Sequence, residues 1–218
     1  SYTGVQWACE NGANVVSMSY GSENSSNAMQ DLIYAYPEVV FIAAAGNDSS
    51  STQNYPAAYQ NVIGVGSVDS NDLRSSFSNY NVGFPWVDIA APGGYSYGGL
   101  LSTVYTESLN GYARFGGTSM ATPFAAGLVG LMLSVNPSLT PIQIQNCLVN
   151  SGVDINQNIG PRIDAYQALL CVQPENDNPI PAFTASPQVT FENQSVIFSN
   201  NSVNGTNWVW TFEGGNPS

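Results

Sequence analysis

The sequence has 218 residues, 43% hydrophobic and 11% aromatic, enough for one sizeable α/β domain and something smaller beside it. Only 8% of residues are charged, 3 Lys+Arg against 15 Asp+Glu, and the net charge of -12 repels a phosphate backbone, which argues against nucleic acid as a partner. Histidine is absent, so a Cys/His zinc site is excluded, and no unbroken apolar run of about 18 residues suggests a membrane span.

Ser1 to Trp7 has neither a basic start nor an apolar core, so no signal peptide opens the chain, which is expected to begin inside a longer protein. Val5, Ala8 and Cys9 form one face of a short helix stopped at Asn11-Gly12. Val15 to Ser19 reads as a strand ended by Gly21. Ala28, Met29, Leu32, Ile33 and Tyr36 recur at helical spacing until Pro37. Val39 to Ala45 is continuously apolar, as a strand covered on both faces would be, and Val62 to Gly66 repeats the pattern. Strand, helix, strand at this spacing predicts right-handed parallel crossovers, hence an α/β fold with a doubly wound parallel sheet.

Asn79 to Gly99 reads as turn-rich, and Ser119 to Val135 as a central helix, apolar nearly all round. Thr140, Pro141 and Gln143 form a capping box, and a short helix, Ile163 to Cys171, closes a first domain over residues 1–172. Cys147 and Cys171 either pair in an oxidising compartment or remain buried thiols, and Cys9 is left over. Residues 173–181 are polar and proline-broken, as a linker is. Over 182–218 the period turns to two, with Val189/Phe191, Val196/Phe198 and Trp208/Trp210/Phe212 alternating with polar residues, the start of a partial β-sandwich. That segment is too short to bury a core alone, so the chain is expected to be cut at both ends.

The chemistry gathers at two places. In Phe115-Gly-Gly-Thr-Ser119-Met-Ala-Thr-Pro123 a glycine turn runs into the helix, so the serine hydroxyl and its own N–H face one space at the positive end of the helix dipole. Ala121 breaks the G-x-S-x-G elbow, which argues against an α/β-hydrolase. In Ala43-Ala-Ala-Gly-Asn47 a buried strand ends in small residues, followed by an amide donor at the carboxyl rim, where open α/β sheets bind ligands.

Together, Gly117-Thr-Ser-Met-Ala-Thr-Pro, Ala44-Ala-Gly-Asn, Val87-Asp-Ile-Ala-Ala-Pro-Gly, Val16-Ser-Met-Ser-Tyr-Gly and Tyr55-Pro-Ala-Ala-Tyr-Gln-Asn-Val-Ile-Gly-Val-Gly-Ser-Val resemble the subtilisin family of serine proteases, in family order from Tyr2 to about Leu170. The resemblance implies that Ser119 is the nucleophile and that Asn47, with the Ser119 N–H, stabilises the oxyanion. It further implies that Ser19, Tyr20, Gly21, Ala44, Ala45, Gly46 and Thr118 bind substrate. Small residues on both pocket walls then favour large apolar or aromatic side chains before the scissile bond. A cis peptide is implied at Tyr55-Pro56. The chemistry needs no cofactor, and the resemblance leaves room for a structural calcium at the carbonyls of Ala57, Tyr59 and Val62 with Asp88.

Triads of this type run Asp, His, Ser, and both partners of Ser119 are expected upstream. The expectation is therefore part of a secreted endopeptidase acting on protein or peptide substrates, itself inactive. The tail resembles a PKD-type module, at Pro181-Ala-Phe-Thr-Ala-Ser-Pro and Trp208-Val-Trp-Thr-Phe-Glu-Gly-Gly, with further C-terminal modules behind it. The rival readings are a catalytically dead subtilisin-like binding protein and a carrier of an adhesive β module.

Overall fold

The computed structural model describes residues 1–94, 98–105, 110–173, 182–186, 194–202, 207 and 209. The chain divides into two compact units, Ser1–Gln173 and Pro174–Ser218.

The first unit is an α/β fold around a parallel sheet. Helix α1 (Tyr2–Glu10) leads into β1 (Val15–Met18), α2 (Asn27–Ala35), β2 (Val40–Ala44), β3 (Val62–Val68) and β4 (Ile89–Pro92). The four strands lie in the order β1-β2-β3-β4, all parallel, with Met18 opposite Ala43, Ala43 opposite Gly64 and Val65 opposite Ile89. A hairpin follows, β5 (Leu100–Tyr105) and β6 (Asn110–Phe115), then α3 (Thr118–Val135), α4 (Pro141–Ser151) and α5 (Ala165–Cys171).

Both sheet faces are covered, because alternate residues of each strand point to opposite layers. Phe41 and Ala43 join Met18, Met29 and Ile33 under α1 and α2. Val40, Ile42, Ile63 and Val65 pack with Ala121, Val129 and Met132 of α3 and with Ile144 and Leu148 of α4. A continuous apolar run is what such a two-sided strand requires. Ser26 caps α2 by accepting from the Met29 N–H, and Thr140 with Gln143 closes the capping box on α4. Cys147 and Cys171 are joined in a disulfide between α4 and α5, while Cys9 is a buried free thiol.

Three features differ from the sequence reading. The stretch read as turns contains β4, too short and alanine-rich to announce itself, and its end at Pro92 completes the ladder opposite Val68. The hairpin before α3 was not anticipated. Helix α3 is long and apolar enough to cross a membrane by composition alone, yet it packs against the parallel sheet through one stripe, Ala121, Ala125, Leu128, Val129 and Met132. It is not buried all round: Phe124 is 49% and Leu131 52% exposed.

In the second unit β7 (Phe183–Ser186) pairs antiparallel with β8 (Ile197–Asn200), and the rings of Phe183 and Phe198 lie 6.1 Å apart. The alternating residues Val189, Phe191, Trp208, Trp210 and Phe212, and the linker from 174 to 181, lie outside the described residues.

Candidate active site

Parallel strands deliver their carboxyl ends to one rim. At that rim β1 runs on into Ser19-Tyr20-Gly21, β2 into Ala45-Gly46-Asn47, and α3 starts immediately after Gly117. Ala45 extends the ladder by donating to the Val65 carbonyl at 3.0 Å. Gly46 then turns the chain at φ 104°, a backbone region that suits glycine, and a Cβ there would collide with the amides of Asn54 and Asn79.

Thr118 joins the two active segments. Its hydroxyl accepts from the Gly46 N–H at 3.1 Å and donates to Asn47 Oδ1 at 3.0 Å, and its N–H donates to the same oxygen at 2.9 Å. Thr118 is wholly buried, and its hydroxyl is engaged by Gly46 and Asn47. With both Thr118 donors on Oδ1, the carboxamide orientation is fixed and Nδ2 is the group presented outward. Asn47 itself is exposed.

Ser119 is half-buried, next along the chain, in the first helical turn, where N–H groups have no intrahelical acceptor. The tie between Asn47 and Thr118 therefore brings the Asn47 amide, the Ser119 N–H and the Ser119 hydroxyl into one neighbourhood, given about 3.8 Å between consecutive Cα atoms. The Ser119 hydroxyl donates to the Ser19 carbonyl at 3.2 Å, and Ser19 Oγ donates to the Ser119 carbonyl at 2.9 Å. Beneath the turn, Gly117 donates to the Gly93 carbonyl at 2.7 Å, and a Cβ on Gly93 would lie 2.6 Å from both the Gly117 carbonyl and Ser67 Oγ. Tyr20 flanks the rim, and burial raises its phenol pKa against a hydrogen bond with Ser1.

Two asparagines that sequence reasoning passed over complete the surroundings. Asn79, 2% exposed, accepts from the Asp48 and Ser50 N–H groups at 3.0 Å each and donates Nδ2 to the Ala45 carbonyl at 2.9 Å. Asn54, 7% exposed, donates Nδ2 to the same carbonyl at 3.2 Å. Its only sequence signal is its place before Tyr55-Pro56, whose bond is cis, and there an asparagine reads as an ordinary turn residue.

Among the groups named for calcium, Asp88 and the Tyr59 carbonyl already accept hydrogen bonds. Asp88 Oδ2 accepts from the Gly64 N–H at 2.7 Å and Oδ1 from Gln145 Nε2 at 3.1 Å, so N–H dipoles, positive ends foremost, already face both oxygens. The Tyr59 carbonyl accepts from the Val62 N–H at 3.4 Å. Among the described residues no group of three or more His, Cys, Asp or Glu is placed to hold a metal.

The subtilase family model matches residues 2–178. Alkaline elastase YaB of Bacillus sp. (strain YaB) is 40% identical over 154 residues, covering 70% of this chain and 38% of that protein. Thermitase of Thermoactinomyces vulgaris is 40% identical over 171 residues, covering 76% of this chain and 57% of that protein. Among solved structures, a protease of Pseudoalteromonas arctica PAMC 21717 superposes with a TM-score of 0.72 at 29% identity, over 79% of this chain and 58% of that one. The chain thus spans about half the length of the relatives it matches, or less.

Proposed function

The chain belongs to the subtilase family, and on that premise we propose that it carries the nucleophile and oxyanion-binding part of a serine endopeptidase. Ser119 Oγ attacks the scissile carbonyl, forming an acyl-enzyme and releasing the amine, and water then hydrolyses the ester. Charge developing on the carbonyl oxygen is met by Asn47 Nδ2–H and by the N–H of Ser119. The observation that carries this reading is the double hold of Thr118 on Asn47 Oδ1, at 2.9 and 3.0 Å, which aims the amide donor beside Ser119 without further ordering.

The sequence contains no histidine, so the general base comes from outside these 218 residues and the chain alone is inactive. Subtilisins need no cofactor for this chemistry. Ser19, Tyr20 and Gly21 form one wall for the substrate and Ala44, Ala45 and Gly46 the other. The substrate is a protein or peptide. The protein works in an oxidising, extracellular setting, as the Cys147–Cys171 disulfide suggests. The subtilase match ends at residue 178, and the segment behind it is a PKD-like β module that precedes further modules.

The test is covalent labelling. A fluorophosphonate should modify Ser119 in the full-length protein, and peptide hydrolysis should vanish in Ser119→Ala. Failure of the full-length protein to take the label would overturn the proposal.

A further inference from the structure

Thr118 fixes the Asn47 carboxamide, but the backbone that carries this side chain has a different support. Residues 45–50 leave the end of β2 and run beside Phe77 to Tyr80. The Ser49 N–H donates to the Phe77 carbonyl at 2.8 Å, and the Tyr80 N–H donates to the Ser50 carbonyl at 3.0 Å. Between these two bonds, Asn79 engages the chain on both sides of Asn47. Ahead of it, the Asn79 N–H donates to the Gly46 carbonyl at 3.0 Å and Nδ2 donates to the Ala45 carbonyl at 2.9 Å. Behind it, Asn79 Oδ1 accepts from the Asp48 and Ser50 N–H groups.

Gly46 is thereby held at both polar groups, its N–H by the Thr118 hydroxyl and its carbonyl by Asn79. A Cβ on Gly46 would collide with Asn79 Nδ2, so the Asn79 carboxamide lies directly against the residue before the oxyanion donor. Ser49 stands at φ 49°, a left-handed conformation that a serine keeps only where its surroundings impose it. Asn79 is in a position to impose it, being buried and bonded to the residues on either side of Ser49, Asp48 and Ser50. The Asn79 carbonyl in turn accepts from Ser78 Oγ at 3.1 Å.

We infer that Asn79 is a positioning residue for the oxyanion donor: it sets the path of residues 45–50 so that the Asn47 amide stays directed beside Ser119. This rests on the proteolytic reading, in which Asn47 Nδ2–H meets the developing charge. A donor already in place needs no ordering as that charge forms, whereas one on a loosened loop must be ordered during the reaction. The substrate's neutral carbonyl gains little from the donor before attack, so the effect falls on kcat and spares KM.

The experiment compares full-length wild type, Asn79→Ala, Asn79→Ser, Asn47→Ala and the Asn47→Ala, Asn79→Ala double variant. One readout is kcat and KM on a peptide anilide. The other is the ratio of inhibition constants for a peptide aldehyde and the matching peptide alcohol. Only the aldehyde takes Ser119 Oγ onto its carbonyl carbon and places charge on the oxygen. Asn79→Ala should lower kcat and the aldehyde's advantage by about 10-fold each with KM little changed, and Asn79→Ser should do so by less. With Asn47 already replaced, removing Asn79 should shift that advantage by less than about 2-fold, because the donor it acts through is gone. The ratio is read within one preparation, so loss of folded protein, which a merely structural role would cause, leaves it unmoved. Asn79→Ser, the milder change, decides the matter where Asn79→Ala does not fold. An unmoved ratio, or the full loss repeated in the Asn47→Ala background, overturns the inference. If wild type takes the fluorophosphonate label yet gives that result, Asn79 alone is misassigned. If wild type neither labels nor cleaves, the proteolytic reading beneath it fails.

Discussion

Ser19 and Ser119 hold each other: each hydroxyl donates to the other residue's carbonyl, at 2.9 Å from Ser19 and 3.2 Å from Ser119. The pair rivets the carboxyl end of β1 to the start of α3 and rests the proposed nucleophile on a neutral acceptor. Among the described residues, this is the one hydrogen bond the structure records for the Ser119 hydroxyl, and an incoming base would displace it.

Ser19→Ala should therefore cost stability and spare chemistry. Losing the Oγ bond to the Ser119 carbonyl is expected to lower unfolding free energy by about 0.5–1.5 kcal/mol. Denaturant titration would register that loss, and fluorophosphonate labelling of Ser119 in the full-length variant should persist.

Asn47 and Thr118 should separate by degree. Asn47→Ala removes a donor to the developing oxyanion and is expected to lower kcat by about 10²–10³ with KM little changed. Thr118→Val keeps the backbone bond to Asn47 Oδ1 but loses the hydroxyl links to Asn47 and Gly46. It should lower kcat less, and KM should again hardly move. Steady-state kinetics of both variants decide the matter, and an unchanged kcat in Asn47→Ala would remove that residue from the mechanism.

Asp88 makes stability depend on pH. Burial raises its pKa from 3.8 to about 6, against hydrogen bonds from Gly64 and Gln145 that pull it down. The folded chain thus keeps this proton to higher pH than the unfolded chain does. Its contribution to stability is greatest below pH 3.8, falls as pH rises toward about 6, and stays low above that. The loss is on the order of 2–3 kcal/mol. Asp88→Asn, uncharged throughout, should be the more stable form above about pH 6 and lose its advantage below about pH 4. Urea midpoints from pH 4 to 8 should show the two curves converging at the acid end.

The disulfide should carry a measurable share of stability. Cys147 and Cys171 are 24 residues apart in sequence, and a loop of that size closed by a covalent link is expected to contribute about 3 kcal/mol. A Cys147→Ser, Cys171→Ser double variant should melt lower than wild type in the absence of reductant, and reductant should lower the wild type toward it.

Repeating, local patterns were the legible part of the fold. The apolar runs at β2 and β3, the Asn11-Gly12 stop, the Thr140 capping box and the small residues ahead of Asn47 each announce themselves within a few positions. What escaped depends on partners distant in sequence. Ile89 to Pro92 is a strand because Val65 to Val68 lies beside it, and nothing in Ile-Ala-Ala-Pro alone says so. The one-sided burial of α3 is set by which residues the sheet happens to cover, since hydrophobicity all round gives no direction. At the site, Ser119, Asn47 and Thr118 stood out through the family resemblance, whereas Asn54 and Asn79 looked like ordinary polar residues. Their parts emerge only when three remote segments meet.

The loop carrying Asn47 is shaped from elsewhere. Asn79 Oδ1 accepts from Asp48 and Ser50, Nδ2 donates to Ala45 and the backbone N–H donates to Gly46, so one residue far downstream contacts the turn at four places. A synthetic peptide spanning Phe41 to Thr52 would have no template for that curve and should wander in solution. Anyone transplanting this turn into another scaffold would have to carry the buried asparagine along with it.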